Sequence, residues 1–419
     1  MNYIFSNYTK HINFFGKTNP IELIKKYGSP LYVYNENILR ERCREMKNLV
    51  KYPNFSVNFS TKSNNNLQFL KIIKSEGLNV DAMSAGEIGF ELLAGFSPNQ
   101  ILFIANNVSA DEMKFAIDKG ILISVDSLSQ LETYGKINGG GDIVIRFNPG
   151  VGAGHSKKVI TGGKNTKFGV NPELIPEVKN IIKKYNLNLI GINQHIGSLF
   201  MDSEPYLESV NSILNIAENF ENLKFVDFGG GFGIPYYKQN YQQRLNLKQL
   251  GQQLDITISE WIKKYGSDIQ FKIEPGRYIS AEYGLLLGTV TAVKNNMENK
   301  YIGTDLGFNV LGRPILYDSH HDIEIYRQDS TVSTTIEEVT IVGNICESGD
   351  ILAQHRNLPQ IFEGDIIGIT DAGAYGQVMS SNYNLRLRPA EVFIDSTGND
   401  ILTRRRDNFE DLIKPYLEI

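Results

Sequence analysis

Between residues 55 and 277, short apolar runs of the β type alternate with stretches whose apolar residues recur every three or four positions. The runs are SVNFSTK (56–62), LNVDAMS (78–84), ILFIAN (101–106), LISVDS (122–127), DIVIRFNP (142–149), LIGINQHIG (189–197), FVDFGGG (225–231) and FKIEPGR (271–277). Helical spacing marks Asn65–Glu76, with Leu67, Leu70, Ile72 and Ile73 as its apolar face, and also Ala85–Ala94 and Pro205–Phe220. Eight strands alternating with helices predict an α/β chain closed into a (β/α)8 barrel; an open doubly wound sheet is the alternative. The count of eight favours the barrel, as do the polar or glycine residues at the end of each run. In such barrels the C-terminal strand ends build the active site.

After Arg277 the pattern changes. GLLLGTVTAVKN, KYIGTDLG, EEVTIVGN, DIIGITDA and AEVFIDS are rich in β-formers with few helical intervals. This predicts a second, all-β domain over 281–419. Its last stretch, TRRRDNFEDLIKPYL, reads as a terminal helix. PLYVYN (30–35) is a strand before the barrel and is assigned to the β domain with residues 1–35. The barrel is placed at 36–280. No internal repeat or low-complexity linker interrupts either part.

The chain has 419 residues, 42 basic and 47 acidic, for a net charge of −5. No basic excess exists to neutralise a phosphate backbone, so no nucleic-acid partner is expected. Only Cys43 and Cys346 occur. That excludes a disulfide-built secreted fold and points to a reducing compartment. The start, MNYIFSNYTKHINFFGKTNP, lacks the pattern of a secretory signal, and nowhere do 18 apolar residues run together. A soluble, cytoplasmic protein with no membrane association is expected.

The strand ends carry the candidate chemistry. Lys62 in FSTKSN closes the first barrel strand; it is either a surface lysine or an amine able to form an imine with a carbonyl cofactor. His195 in HIGS follows the sixth strand, either as a structural turn residue or in a site, with the Ser198 hydroxyl suited to a phosphate. GGGFG (229–233) ends the seventh strand. It reads as a tight turn or as backbone that approaches an anion, with a helix N-terminus after it. Its glycines match neither a Walker loop nor a dinucleotide fingerprint. EPGR (274–277) closes the eighth strand; Glu274 would point inward, and Arg277 offers a fork for a carboxylate or phosphate, or an interdomain salt bridge. The β domain adds GRPILYDSHH (312–321), CESGD (346–350) and DAGAYG (371–376). Cys346 there is either inert packing or, beside Glu347, part of a site.

Taken together, FSTKSN, RFNP, HIGS, GGGFG, EPGR, GRPILY, CESGD, DAGAYG and SNYNLRLRPAEV, in this order, resemble the diaminopimelate decarboxylases of the alanine-racemase-like class of pyridoxal phosphate enzymes. The resemblance spans nearly the whole chain, and HSKKVITGGKNTKFGV (155–170) adds to it. One departure is visible: the family motif begins tyrosine–alanine and continues lysine–alanine–asparagine, whereas this chain reads Phe59–Ser60–Thr61–Lys62–Ser63–Asn64.

The resemblance implies that Lys62 holds pyridoxal 5'-phosphate covalently and that His195 stacks on its ring. It implies that Ser198, Gly231, the Glu274–Pro275–Gly276–Arg277 turn and Tyr375 serve its phosphate and ring, with Glu274 at the pyridine nitrogen. Arg277, Arg313 and Tyr317 would bind the distal carboxylate of the substrate, with Tyr375 nearby and Glu347 on the distal ammonium. Cys346 would give a proton to Cα. In the family Cys and Glu come from the neighbouring subunit, so a homodimer with shared active sites is implied, and no metal. The expected reaction converts meso-2,6-diaminopimelate to L-lysine and CO2. The alternatives are a decarboxylase of the same fold acting on ornithine, arginine or a related amino acid, or a non-catalytic homologue. The ornithine enzymes place an aspartate near the distal amine and have no need of Arg313; a non-catalytic homologue would lack Lys62, Cys346 or Tyr375.

Overall fold

The structure, a computed structural model, describes residues 8–104, 106–152, 154, 161–163, 166–266, 268–327 and 335–417. Strand β1 (Leu31–Asn35) precedes eight strands separated by helices: β2 (Phe55–Ser60), β3 (Asn79–Ala82), β4 (Ile101–Phe103), β5 (Leu122–Val125), β6 (Asp142–Arg146), β7 (Asn188–Asn193), β8 (Phe225–Asp227) and β9 (Gln270–Ile273). Each of these eight pairs in parallel with the next, and β9 pairs with β2, so the sheet closes. The barrel, not the open sheet, is the fold of this part.

The helices start where the sequence supplies a cap. Asn66 accepts from the N–H groups of Gln68 and Phe69 ahead of Leu67–Ser75, and Ser84 does the same for Ala85–Leu93. Phe69, Leu70, Ile72 and Ile73 form the buried face of the first.

Strand ends fall short of the predicted runs in two places that matter. β2 stops at Ser60, and Thr61–Ser63 is a single 3-10 turn that carries Lys62. β7 stops at Asn193, which leaves His195 in a loop. Phe59 and Val57 pack outward among buried apolar residues, whereas Asn58 and Ser60 alternate with them onto the other face. That face is the barrel interior: Ser124 of β5 donates to Asn193 of β7 at 2.7 Å, a bond between strands that are not neighbours. The same face carries Asp81, Arg146 and Asp227, all buried.

The remaining strands are β10 (Gly284–Asn296), β11 (Asn299–Thr304), β12 (Ile323–Tyr326), β13 (Ile336–Val342), β14 (Ile351–Pro359), β15 (Ile366–Ile369), β16 (Ala390–Ile394) and β17 (Asp400–Arg404). They form one mostly antiparallel sheet with β1, which lies between β10 and β16. Phe14, Leu31, Val33, Leu285, Leu287, Val392 and Ile394 make its core. The terminal helix spans Phe409–Leu417, not 403–417. Arg404 belongs to β17, paired with Glu391, and Asn408 and Asp411 exchange hydrogen bonds that start the helix.

The chain divides into two compact units. One is strand-rich: residues up to Leu39, Pro235–Gln243, and Ser280 onward. The other is the barrel, Arg40–Ile234 with Arg244–Ile279. Pro235–Gln243 falls inside the span that the sequence assigns to the barrel, yet it groups with the strand-rich unit. Lys238 explains this, since its ammonium pairs with the buried carboxylates of Asp371 (2.6 Å) and Glu282 (3.3 Å) in that unit.

Candidate active site at the barrel strand ends

The barrel unit gathers Lys62, His195, Ser198, Gly231, Glu274, Pro275, Gly276 and Arg277 in the turns and loops that follow β2, β7, β8 and β9, with Arg277 opening the short helix Arg277–Ser280. Barrel closure makes β2 and β9 neighbours, so the Lys62 turn stands beside the Glu274 turn: Ser60 N–H donates to Pro275 O at 3.5 Å. The Lys62 charge is felt by four groups. Burial raises the carboxyls of Asp81, Glu87 and Glu274, and the Lys62 charge opposes that rise; burial lowers the His195 imidazole, and Lys62 adds to that drop.

Glu274 is buried, and its Oε1 has no hydrogen-bond partner. Burial pushes its carboxyl well above the usual range; Asp227 and Asp81 add to this, and Lys62 and Arg146 oppose it. Two more acids stand with it. Burial raises Asp81 to about 8 and Asp227 to about 6. Arg146 is a buried cation beside Glu274 and Asp81, seated over the Phe168 ring at 4.6 Å. A cluster of perturbed carboxyls with an unsatisfied oxygen at a barrel mouth marks a functional site.

His195 is held by its neighbour loop. Gly230 N–H donates to its Nδ1 at 3.1 Å, which leaves the proton of the neutral ring on Nε2. Burial comes first, then Lys62 and Arg146, in keeping this ring neutral. The glycine run is packed too closely for side chains. A Cβ on Gly230 would lie 1.9 Å from Glu274 O, and Gly231, at φ +111°, would set one 2.7 Å from Gly197 O. The helix N-terminus expected after GGGFG does not follow; Phe232 instead bridges to Phe200, and the next helix of that unit begins at Leu247. Arg277 donates to Ser198 Oγ through Nε (3.2 Å) and Nη2 (2.9 Å). Glycine backbone, a hydroxyl and a guanidinium suit a phosphate. An acid whose oxygen lacks a donor suits a basic ring nitrogen. The donor set therefore fits pyridoxal phosphate.

Five candidates lie in the strand-rich unit. Arg313 opens the short helix Arg313–Tyr317 and is buried, with Nη1 2.7 Å from His321 Nε2, Nη2 3.2 Å from Ser319 Oγ, and its guanidinium 4.7 Å from the Tyr236 ring centroid. Tyr317 is half-buried at the end of that helix, and Tyr375 is half-buried at φ 55°. Cys346 and Glu347 are exposed in one loop. The SNYN loop holds them: Asn384 Oδ1 accepts from Cys346 N–H at 2.8 Å, and Tyr383 donates to Glu347 Oε1 at 2.5 Å. Part of the stretch 155–170, namely 155–160 and 164–165, lies outside the described residues.

Sequence reasoning passed over Asp81, Arg146, Asp227, Thr61 and Glu91. The signal was present for Asp81 and Asp227. Each is an acid inside an apolar run, LNVDAMS and FVDFGGG, where a charge is costly without a use.

Residues 36–281 match the family model of the pyridoxal-dependent decarboxylase, pyridoxal binding domain. The chain is 39% identical to a diaminopimelate decarboxylase of Methanothermobacter thermautotrophicus, over 95% of this chain and 94% of that one. It is 32% identical to the Escherichia coli K12 diaminopimelate decarboxylase, over 94% and 95%. The fold superposes on the crystal structure of diaminopimelate decarboxylase from Helicobacter pylori complexed with L-lysine at a TM-score of 0.87, with 30% identity over 96% of this chain and 100% of that one.

Proposed function

The chain belongs to the diaminopimelate decarboxylases, and from that premise we propose how its own residues turn meso-2,6-diaminopimelate into L-lysine and CO2. What carries the reading is Glu274, a buried acid with an unsatisfied oxygen near Lys62. Bound pyridoxal phosphate supplies the electron sink for the pair left at Cα when CO2 departs. Lys62 holds the cofactor through its amine. Glu274 meets the pyridine nitrogen, gives it the proton that burial favours on the carboxyl, and remains as the paired carboxylate. His195, neutral and fixed by Gly230, offers a flat face to the ring. Ser198, Gly231 and Arg277 cradle the phosphate with Tyr375, and the Pro275–Gly276 turn brings Arg277 there.

The substrate is read at its far end. Arg277, Arg313 and Tyr317 take the distal carboxylate, and Glu347 takes the distal ammonium, with Tyr375 beside them. A buried carboxylate without a cation costs roughly 3–5 kcal/mol, so these cations favour a substrate with two carboxylates. The Cys346 thiol gives Cα the proton that replaces CO2.

Cys346 and Glu347 serve the partner's site in a homodimer. Their exposure supports this, as do exposed apolar side chains of the same unit: Leu385 is 74% exposed, and Ile315, Leu316 and Tyr383 are exposed as well. We also place the enzyme in the cytoplasm; neither cysteine forms a disulfide, and among the described residues no helix is long and apolar enough to cross a membrane. A decarboxylation assay across diaminopimelate, lysine, ornithine and arginine tests the reading. Turnover confined to diaminopimelate is expected, and preference for ornithine or arginine would overturn it.

A further inference from the structure

The turn that carries Lys62 is flanked by hydroxyls. Ser60 donates to Asp81 Oδ2 at 2.7 Å, Thr61 donates to Glu91 Oε1 at 2.6 Å, and Ser63 donates back to Ser60 O at 2.9 Å. Two of these stand where the family motif carries alanine. Glu91 lies on the helix Ala85–Leu93 and is fully buried, with Oε2 lacking any partner. The reaction does not use it. Burial raises its carboxyl to about 9, and Asp81 and Glu87 push the same way; the Thr61 hydroxyl opposes them. None of the groups acting on it is a cation, so near neutral pH Glu91 is an uncharged acid.

We propose that Glu91 is a positioning residue for Lys62, holding the Thr61 hydroxyl and so fixing the direction in which the cofactor lysine leaves its turn. The inference rests on Lys62 being the cofactor lysine. A lone 3-10 turn has poor hydrogen-bond geometry and little stiffness of its own. Thr61 and Lys62 are consecutive, so anchoring one side chain sets the backbone of the other. An amine displaced by even about 1 Å can lose on the order of a hundredfold in rate. An uncharged acid performs this task without adding a negative charge beside Asp81 and Glu87, which already face Lys62 together with Glu274 and His195.

Three variants of the holoenzyme test this: Thr61→Val removes the donor at equal volume, Glu91→Ala removes the acceptor, and Glu91→Gln keeps an acceptor oxygen without a carboxyl. Kinetics, melting temperature and the pH titration of the visible cofactor absorbance are measured for each. Thr61→Val and Glu91→Ala should move the titration midpoint by about half a pH unit or more and lower kcat roughly tenfold with little change in KM. Glu91→Gln should match the wild type in all three, and Thr61→Ser, which keeps the hydroxyl, should do so too. An unmoved titration and unchanged kcat in Thr61→Val, even with a lower melting temperature, would reduce the pair to a structural contact. A Glu91→Gln variant as damaged as Glu91→Ala would show that the charge matters, and would overturn the uncharged-acid role. A wild type without lysine-bound cofactor absorbance would instead sink the function proposed above.

Discussion

Replacing Glu274 by Gln should make the cofactor-free protein more stable and the enzyme slower. Glu274 is buried with Oε1 unsatisfied, and its folded-state carboxyl titrates well above the ordinary 4.5. The folded state therefore binds more protons than the unfolded one. The stability this acid contributes is fully present below about pH 4.5 and is lost as pH rises through the folded value. Gln keeps the shape and cannot ionise. The two cofactor-free proteins should melt close together near pH 4.5 and separate as pH rises. Each pH unit from 4.5 up to the folded value costs the wild type about 1.4 kcal/mol that Gln does not lose. For a unit of this size that corresponds to roughly 3–6 °C per pH unit, in favour of the variant. Turnover should move the other way. A hydrogen bond to a charged partner contributes about 1.5–3 kcal/mol. Gln cannot give the ring nitrogen a proton, so the bound cofactor would be a weaker electron sink and kcat should fall by roughly 10- to 150-fold. Calorimetry across pH and steady-state rates on diaminopimelate read both effects. A variant that melts lower than the wild type at pH 8, or that keeps kcat within about threefold, would refute the assignment of Glu274 to the ring nitrogen.

Lys62→Ala should lose nearly all turnover, and borohydride treatment of the wild type should leave the cofactor on Lys62; peptide mapping that finds it on another lysine removes this residue from the site. Mixing inactive Lys62→Ala with inactive Cys346→Ala should restore part of the activity, because a hybrid dimer has one site with both residues intact. No recovery despite subunit exchange, followed by mass spectrometry, would mean that each chain builds its own site. Arg313→Lys keeps a charge but loses the fork and the contact with the Tyr236 ring. Its kcat/KM for diaminopimelate should fall on the order of a hundredfold, about 2–3 kcal/mol, with cofactor binding intact; loss of pyridoxal phosphate would move Arg313 into the cofactor site.

The order of apolar runs and amphipathic stretches determined eight parallel strands joined by helices and favoured the barrel over the open sheet, because such strands have few ways to bury both faces of a sheet. Chain order also determined the motif residues, since loops after barrel strands are where side chains escape the core. Chain order placed Lys62, His195, Glu274 and Arg277 at strand ends, and the family resemblance supplied the roles proposed for them. Three things were left to the tertiary structure. Closure made β2 and β9 neighbours, which sets Lys62 beside Glu274 although 212 positions separate them in sequence. Register decided which polar residues within the runs turn inward; a shift of one position would have sent Asp81 and Asp227 outward. Side-chain contacts at a distance decided the rest. Lys238 draws Pro235–Gln243 to the acids Asp371 and Glu282 of the strand-rich unit, and Glu91 reaches Thr61 from a helix whose sequence reads only as a buried face. A pattern of apolar and polar positions records which residues avoid water; it does not record which partner meets a buried charge, because that partner is chosen in space.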